Sequence, residues 1–296
     1  MLTSHQTLIL KRKITMKLAK IFILTSVFPA TQALQAVIIL TPEGGSITNH
    51  EVAPASGAPF SNVLKVLDQS NSSGVYIGGG WILTAKHVYN ETAGIPVATV
   101  EHEGTAYTVD TTPGLTLDFS DATTYPTAPE IDLRLFRLET VIPGLPTISI
   151  GSVTAGDAIT MIGRGDVGSS RIKRWGTNNV EAKNILLGLG DPVSRHVVAF
   201  SADYDTATTG EGGAIGGDSG GGVFHDTGSE WVLAGIMIAV DTAASPDITY
   251  SAQLDEYQSE IEAHIATHGS AIPEPSGSSL LMIAGFGFIL RRTRRN

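Results

Sequence analysis

Short segments in which apolar and polar residues alternate occupy most of this 296-residue chain. Such alternation is typical of β-strands with one buried face, and the Gly, Asn and Ser residues between the segments favour turns. In the first half of the chain, strands are predicted at 63–67, 74–78, 81–85, 97–102, 107–109 and 131–138. In the second half, they are predicted at 158–165, 184–189, 196–204, 222–224, 231–240 and 248–251.

Four segments break this pattern. Residues 119–130 and 166–180 are rich in turn-forming residues and are predicted to be loops. Residues 141–147 contain two prolines and a glycine and are predicted to link two halves of the chain. Apolar residues recur at helical spacing within 254–268, which predicts a short C-terminal helix. A chain of this length can support two hydrophobic cores.

The composition excludes several classes of chemistry. The chain has no cysteine, so disulfides and cysteine-based metal or redox sites are excluded. It also lacks the Gly-x-x-x-x-Gly-Lys phosphate loop and the His-Glu-x-x-His zinc motif, so nothing supports a nucleotide or zinc mechanism.

The first 36 residues have the three parts of a secretory signal peptide. Five basic residues precede an apolar run at 21–28, and small and polar residues follow it. Cleavage is predicted after Ala33 or Ala36, and a start at Met16 would give a signal of ordinary length. A membrane anchor is the alternative, although about 20 apolar residues are needed to cross a bilayer.

The last residues, 271–296, also form a signal-like segment. Pro273-Glu274-Pro275 is followed by a polar spacer, an apolar run at 280–290 and four arginines. This tail resembles the PEP-CTERM sorting signal of Gram-negative bacteria, which implies an exosortase-like partner that removes it during sorting. An apolar run followed by arginines acts as a stop-transfer element with its basic end in the cytoplasm. A weak permanent anchor is the alternative.

Removing both ends changes the charge of the chain. The segments 1–36 and 276–296 carry nine of the 19 Lys and Arg residues and none of the 29 Asp and Glu residues, which leaves a body with 10 basic and 29 acidic residues and a net charge near −19. This charge argues against nucleic acid or anionic membrane as a partner. We expect an exported protein at the cell surface or outside the cell, held transiently in the inner membrane by its tail.

The stretch 216–221 (GGDSGG) carries a candidate nucleophile, Ser219. A serine hydroxyl needs a neighbouring base and backbone N–H groups that bind the developing oxyanion, and glycines allow the tight turn that presents those groups. A candidate base, His87, follows the strand at 81–85. A candidate orienting carboxylate, Asp132, lies in the strand at 131–138. The order His, Asp, Ser is one of the known chain orders of a catalytic triad.

Three segments, 80–88 (GWILTAKHV), 131–138 (IDLRLFRL) and 216–221, together resemble the motifs of chymotrypsin/trypsin-like serine proteases. The resemblance covers about 47–268. It implies an all-β fold of two packed antiparallel six-stranded β-barrels with a short C-terminal helix. The first barrel (37–140) would carry the histidine and the aspartate. The second (148–270) would carry the serine and the helix.

The resemblance also implies a mechanism. His87 would take the proton of Ser219 as it attacks a peptide carbonyl, while Asp132 orients the imidazole. Backbone N–H groups of Gly217 and Ser219 would bind the oxyanion. This reaction needs no cofactor or metal, its substrate is a polypeptide, and we expect a monomer. Lys86 stands where the family usually has alanine. Asp118 and Asp121 are fallback candidates for the orienting carboxylate.

The substrate pocket departs from the family pattern. In the family, the pocket floor lies six residues before the serine, which is Gly213 here, so a preference for Arg or Lys is not expected, although Glu211 is nearby. Ile238, Ala239 and Val240 replace the usual Ser-Trp-Gly. Val240 would narrow the pocket, and Ile238 lacks the hydroxyl that usually supports the aspartate. We expect cleavage after a small or medium-sized apolar residue.

The stretch ITNHEVAP, which begins at Ile47, resembles the new N-terminus of activated family members. The resemblance implies that the freed ammonium of Ile47 forms a buried salt bridge with Asp218, which orders the oxyanion loop. Ser46 replaces the usual basic residue before the cut, and Thr48 and His50 also depart from the pattern. Cleavage between Ser46 and Ile47 is therefore a hypothesis.

Two other functions stay open. One is a surface protein that keeps the protease fold as an inactive or zymogen-like binding module, which the imperfect pocket and N-terminus favour. The other is an esterase with the same triad. An esterase usually has a Gly-x-Ser-x-Gly elbow and its histidine last, whereas here the histidine precedes the serine.

Overall fold

The computed structural model describes residues 22–23, 38–39, 50–67, 72–88, 99–121, 130–165, 172–189, 195–204 and 211–269. Apart from Phe22–Ile23, the predicted signal peptide lies outside these ranges, as does the predicted sorting tail. Within them, none of the helical segments has the length and apolar character that a membrane crossing requires.

Among the described residues, the first half of the chain contains nine strands: β1 (Phe22–Ile23), β2 (Ile38–Ile39), β3 (Val63–Val66), β4 (Ser73–Gly78), β5 (Trp81–Thr84), β6 (Thr99–His102), β7 (Thr105–Thr108), β8 (Thr116–Ser120) and β9 (Glu130–Arg137). The second half contains β10 (Ser149–Ile150), β11 (Ala158–Gly163), β12 (Arg174–Asn179), β13 (Ala182–Gly188), β14 (His196–Tyr204), β15 (Gly212–Gly213), β16 (Gly222–Asp226), β17 (Trp231–Asp241) and β18 (Asp247–Gln253). A 3₁₀ turn, Leu254–Glu256, leads into helix α1 (Gln258–His268).

The first barrel is an antiparallel sheet in the order β7-β6-β3-β4-β5-β9-β8. Its central strands β4 and β5 are buried along their whole length, and their apolar side chains belong to one large buried cluster. This places β9 beside β5 near the middle of the molecule, where both strands can position buried side chains.

The second barrel follows the order β12-β11-β16-β17-β18-β14-β13, also antiparallel. One large apolar cluster runs through the first barrel and across the contact into the second, and a smaller cluster lies wholly within the second. The barrels also meet through a parallel pairing of His196 in β14 with Ile131 in β9. This pairing brings the start of β14 next to the strand that carries Asp132.

The prediction of an all-β fold with two barrels and a short C-terminal helix is confirmed. The prediction of a loop across 166–180 is wrong, because Arg174–Asn179 forms β12 and pairs with β11. Its sequence, RWGTNN, has few residues that favour strands, yet alternate positions are buried against the barrel. The predicted loop at 119–130 also begins too early, since β8 extends to Ser120.

Candidate active site

The histidine is delivered by the end of β5. Ala85 leaves that strand, and a 3₁₀ turn, Lys86–Val88, carries His87. Lys86, which stands where the family usually has alanine, is buried, and its Nζ lies 3.1 Å from Oε2 of Glu130 at the start of β9. The unusual lysine therefore joins the histidine turn to the strand that carries the aspartate.

The aspartate lies in β9 directly beside that turn. Asp132 is fully buried and accepts two hydrogen bonds from His87. The backbone N–H of His87 donates to Oδ1 over 2.7 Å, and Nδ1 donates to Oδ2 over 2.6 Å. An imidazole that donates from Nδ1 to a carboxylate has a free lone pair on Nε2, so this arrangement selects the tautomer that can act as a base.

The serine completes the chain of hydrogen bonds. Its Oγ lies 2.8 Å from Nε2 of His87, which can accept the hydroxyl proton. Gly220 behind it has a φ of +81°, and a Cβ there would lie 2.0 Å from the backbone oxygen of Ser73. Only glycine fits this close approach, which explains why the nucleophile is followed by one.

The turn before the serine is held by a buried carboxylate. Asp218 is fully buried, and it accepts hydrogen bonds from the backbone N–H groups of Gly165 (2.7 Å) and Ile215 (3.0 Å). Gly217 within this turn has a φ of +94°, a conformation that favours glycine. The backbone N–H groups of Gly217 and Ser219, the predicted oxyanion donors, belong to this fixed turn.

The predicted partner of Asp218 in an activated enzyme, Ile47, lies outside the described residues, so that salt bridge stays a prediction. The segment that follows it is anchored to β12. Glu51 forms an ion pair with Arg174 over 2.5 Å, and Nε1 of Trp175 donates to the backbone oxygen of Val52 over 2.9 Å.

This anchor lies near the buried carboxylate. Arg174 pairs in register with Gly163 of β11, and a Cβ on Gly163 would lie 2.2 Å from Oδ1 of Asp218. His50 follows Ile47 by three positions, and its Nδ1 lies 3.0 Å from the backbone oxygen of Trp175. An extended segment of that length spans roughly 10 Å.

A cavity of about 290 Å³ opens beside His87 and Ser219. Most of its lining is apolar, including two predicted pocket residues, Ile238 and Val240. The remaining lining residues are Leu187, Gly188, Leu189, Arg195, Ala214, Ile215, Gly216, Asp218, Met237 and Ala239.

The predicted pocket floor, Gly213, is not among the residues that line this cavity, although the next residue, Ala214, is. Its Cα packs against the ring of Tyr204, and a Cβ there would lie 2.8 Å from Cγ of that ring. Tyr204 is partly buried, and this burial, together with the nearby charges of Asp247 and Glu211, raises its pKa to about 12. Glu211 therefore lies near the tyrosine and is not among the residues that line the cavity.

One charged residue of the cleft was missed by the sequence analysis. Arg195 lines the cavity with His87 and Ser219, and its Nη1 lies 4.0 Å from Oδ1 of Asp132. No local motif marks it, because its position depends on the pairing of β14 with β9.

The two alternative candidates for the orienting carboxylate are Asp118 and Asp121. Asp118 receives two hydrogen bonds from Arg134, over 2.5 and 2.8 Å. Asp121 follows β8, and the hydrogen bonds of His87 described above go to Asp132.

The sequence matches the Trypsin family model over residues 47–261, well over half of the chain. The chain therefore belongs to the trypsin family, which makes it an S1-type serine protease by class. A comparison with curated proteins found no match.

Two solved structures illustrate what the fold is similar to. An inactive serine-to-alanine mutant of Rv3671c from Mycobacterium tuberculosis H37Rv is 16% identical, with a TM-score of 0.49, and the match covers 78% of this chain and 98% of that one. The HtrA-type protease AlgW, solved with a decapeptide, is 22% identical, with a TM-score of 0.42 over 67% of this chain and 52% of that one.

Proposed function

We propose that the protein is a secreted serine endopeptidase that cleaves peptide bonds through Ser219, His87 and Asp132. The observation that carries this proposal is an unbroken series of two hydrogen bonds. Nδ1–H of His87 donates to Asp132 over 2.6 Å, and the hydroxyl of Ser219 donates to Nε2 of His87 over 2.8 Å. A nucleophile, a base and an orienting carboxylate within hydrogen-bond reach are the requirements for acyl transfer.

In the proposed reaction, Nε2 of His87 takes the hydroxyl proton while Oγ of Ser219 attacks the carbonyl carbon of the substrate. The oxyanion is bound by the backbone N–H groups of Gly217 and Ser219, and each such donor lowers the barrier by about 3 kcal/mol. The imidazolium, stabilised by Asp132, then gives its proton to the leaving amine. In the second half of the reaction, His87 takes a proton from water as the water attacks the acyl carbon. His87 then gives this proton to Oγ of Ser219 as the acyl group is released.

The shape of the cavity supports a preference for a small or medium-sized apolar residue before the cleaved bond. Its wall is formed by Ile215, Met237, Ile238 and Val240, and its volume of about 290 Å³ is at the lower end for binding pockets. The acidic residues Glu211 and Asp247 surround Tyr204 rather than line the cavity.

Export and sorting belong to the same proposal. The signal at 1–36 would direct the chain across the inner membrane, and an exosortase-like enzyme would remove the tail at 271–296. Cleavage between Ser46 and Ile47 would be a further activating step. Sequencing the N-terminus and measuring the intact mass of the surface protein test all three, and an intact segment 37–46 in active protein would exclude the activating cut.

The proposed activity is tested with a peptide library presented to purified mature protein. We expect cleavage after small or medium apolar residues by the wild type and none by Ser219→Ala. Cleavage dominated by Arg or Lys would refute the pocket assignment, and equal cleavage by both proteins would refute the role of Ser219.

The alternative is a surface binding module that keeps the protease fold. The departures at Ile238 and Ser46 favour it, while the intact hydrogen-bond series argues against it. A folded wild-type protein with its native mature N-terminus that cleaves no peptide would support this alternative.

A further inference from the structure

A buried arginine lies on the cleft side of the candidate triad. The Arg195 side chain is only 10% exposed, and its Nη1 lies 4.0 Å from Oδ1 of Asp132. The same side chain lines the cavity that contains His87 and Ser219. It is the one Arg or Lys side chain among the described residues that line this cavity.

The position of Arg195 is fixed by backbone contacts. Its backbone oxygen accepts a hydrogen bond from the N–H of Leu189 over 3.0 Å. The next residue, His196, pairs in parallel with Ile131, which immediately precedes Asp132. Arg195 and Asp132 are therefore juxtaposed by the contact between the two barrels, and their proximity does not depend on a flexible side chain alone.

The two oxygens of Asp132 have different surroundings. Oδ2 accepts the imidazole Nδ1–H, whereas Oδ1 accepts the backbone N–H of His87 and lies 4.0 Å from Nη1 of the guanidinium. A cation beside one oxygen stabilises the ionised carboxylate and draws charge toward that oxygen. The same cation repels a proton on the neighbouring imidazole.

We propose that Arg195 is a positioning residue of the triad: its guanidinium holds the Asp132 carboxylate in place, and its charge disfavours protonation of the neighbouring His87 and so leaves the imidazole in its base-competent form. This inference rests on the proposed function and deepens it. Arg195 acts on the reaction through Asp132 and His87.

Other charges near the triad are arranged differently. Asp218 is engaged by the backbone N–H groups of Gly165 and Ile215, and Lys86 is paired with Glu130. Neither of these contacts involves Asp132, whereas Nη1 of Arg195 lies 4.0 Å from its Oδ1. Removal of the Arg195 charge is therefore expected to change the field at the triad directly.

The test follows the titration of His87 by NMR spectroscopy on the full mature protein, assigned by comparison with His87→Ala. In Arg195→Gln, we expect the midpoint to move to higher pH by about half a unit to one unit, because the repulsion between the guanidinium and the imidazolium is lost and the negative charge of Asp132 is no longer offset. Arg195→Lys keeps the charge and is expected to titrate like the wild type. Arg195→Met, which keeps an apolar stem in the cavity, is the second neutral variant.

Lys183→Gln is the matched control. Lys183 lies in β13 of the same barrel and pairs with Asp255 over 3.2 Å, so its removal changes the net charge equally without touching the triad. An unchanged midpoint in both folded neutral variants, or an equal shift in the control, would overturn the proposal.

A second readout separates this inference from the proposed activity. The rate at which a fluorophosphonate labels Ser219 is expected to lose up to about tenfold in Arg195→Gln on the acidic limb of its pH profile, and little at the plateau. Absent labelling in the wild type together with a shifted His87 midpoint would refute the enzymatic function and leave the electrostatic role standing. A higher KM confined to acidic substrates, with an unshifted midpoint, would make Arg195 a substrate-binding residue and overturn its positioning role.

Discussion

Asp132 is the residue on which the candidate chemistry depends most closely. Its buried carboxylate accepts both the backbone N–H and the Nδ1–H of His87, so a single side chain fixes the position and the tautomer of the imidazole. Nε2 is then left to accept the proton of Ser219 over 2.8 Å. Loss of the carboxylate charge should therefore affect the reaction far more than the fold.

Asp132→Asn tests this dependence. The amide keeps the shape of the side chain, but its NH₂ group donates to Nδ1 and so favours the tautomer that carries a proton on Nε2. We expect kcat for peptide cleavage to fall by about 10⁴-fold. Asp118→Asn is the control, since Asp118 pairs with Arg134 on the same sheet. Comparable losses in the two variants would contradict the assignment of Asp132.

At the scale of elements, the cleft depends on glycines that let strands and turns approach closely. Gly213 in β15 packs against the ring of Tyr204, and Gly220 packs against the backbone of Ser73. A side chain at either position would displace a neighbour rather than fill the cavity. The lining of the cavity beside Ser219 includes residues of β17 and Ala214–Gly216, and it does not include Gly213 or Gly220.

Gly213→Asp is predicted to destabilise the protein without producing a preference for basic substrates. Its Cβ would lie 2.8 Å from Cγ of Tyr204, and its charge would face the acidic pair Glu211 and Asp247. Thermal unfolding should show a lower Tm, while a Gly188→Ala control, where a methyl group meets nothing within 4 Å, should show little change. Efficient cleavage after Arg by a stable Gly213→Asp protein would show that this account of the pocket is wrong.

The sequence predicts most strands and the candidate triad because both depend on local patterns. His87, Asp132 and Ser219 each lie beside an alternating or glycine-rich segment, and the structure brings these three together. The sequence pattern could not predict β12, because its polar residues form a strand only by pairing with the edge of β11. Arg195 likewise has no sequence signal, since a contact between distant strands places it beside the aspartate.

At the scale of the whole molecule, the C-terminal helix packs back onto the first barrel. Ile261 of α1 is fully buried, and the ring of His264 lies edge-on to Trp81, with centroids 5.4 Å apart. Nη1 of Arg137 in β9 donates to the backbone oxygen of His268 over 2.9 Å. The last element of the second half of the chain thus ties the two barrels together.

This contact should make stability depend on pH. Burial, and then the neighbouring His268, lower the pKa of His264, whose Nε2 is buried without a hydrogen-bond partner among the described residues. A histidine whose folded-state pKa is depressed stabilises the fold above its unfolded pKa of about 6.5, and that stability is lost as the pH falls through the folded value.

We therefore expect the Tm of the wild type to fall between pH 7.5 and pH 5, and we expect a smaller fall in His264→Gln. The measurement is calorimetry of both proteins across this range, with a variant of a half-buried histidine in the second barrel, His225→Gln, as the control. The same loss of Tm with acidification in wild type and His264→Gln would exclude His264 as its source.

The central claim is that Ser219 is an activated nucleophile, and the most direct measurement is labelling of the mature exported protein with a fluorophosphonate probe. The account predicts that the wild type is labelled at one site, that mass spectrometry places the adduct on Ser219, and that Ser219→Ala and His87→Ala lose the label. Absence of labelling in folded wild-type protein that has its native N-terminus, or a label that persists in Ser219→Ala, would contradict the account.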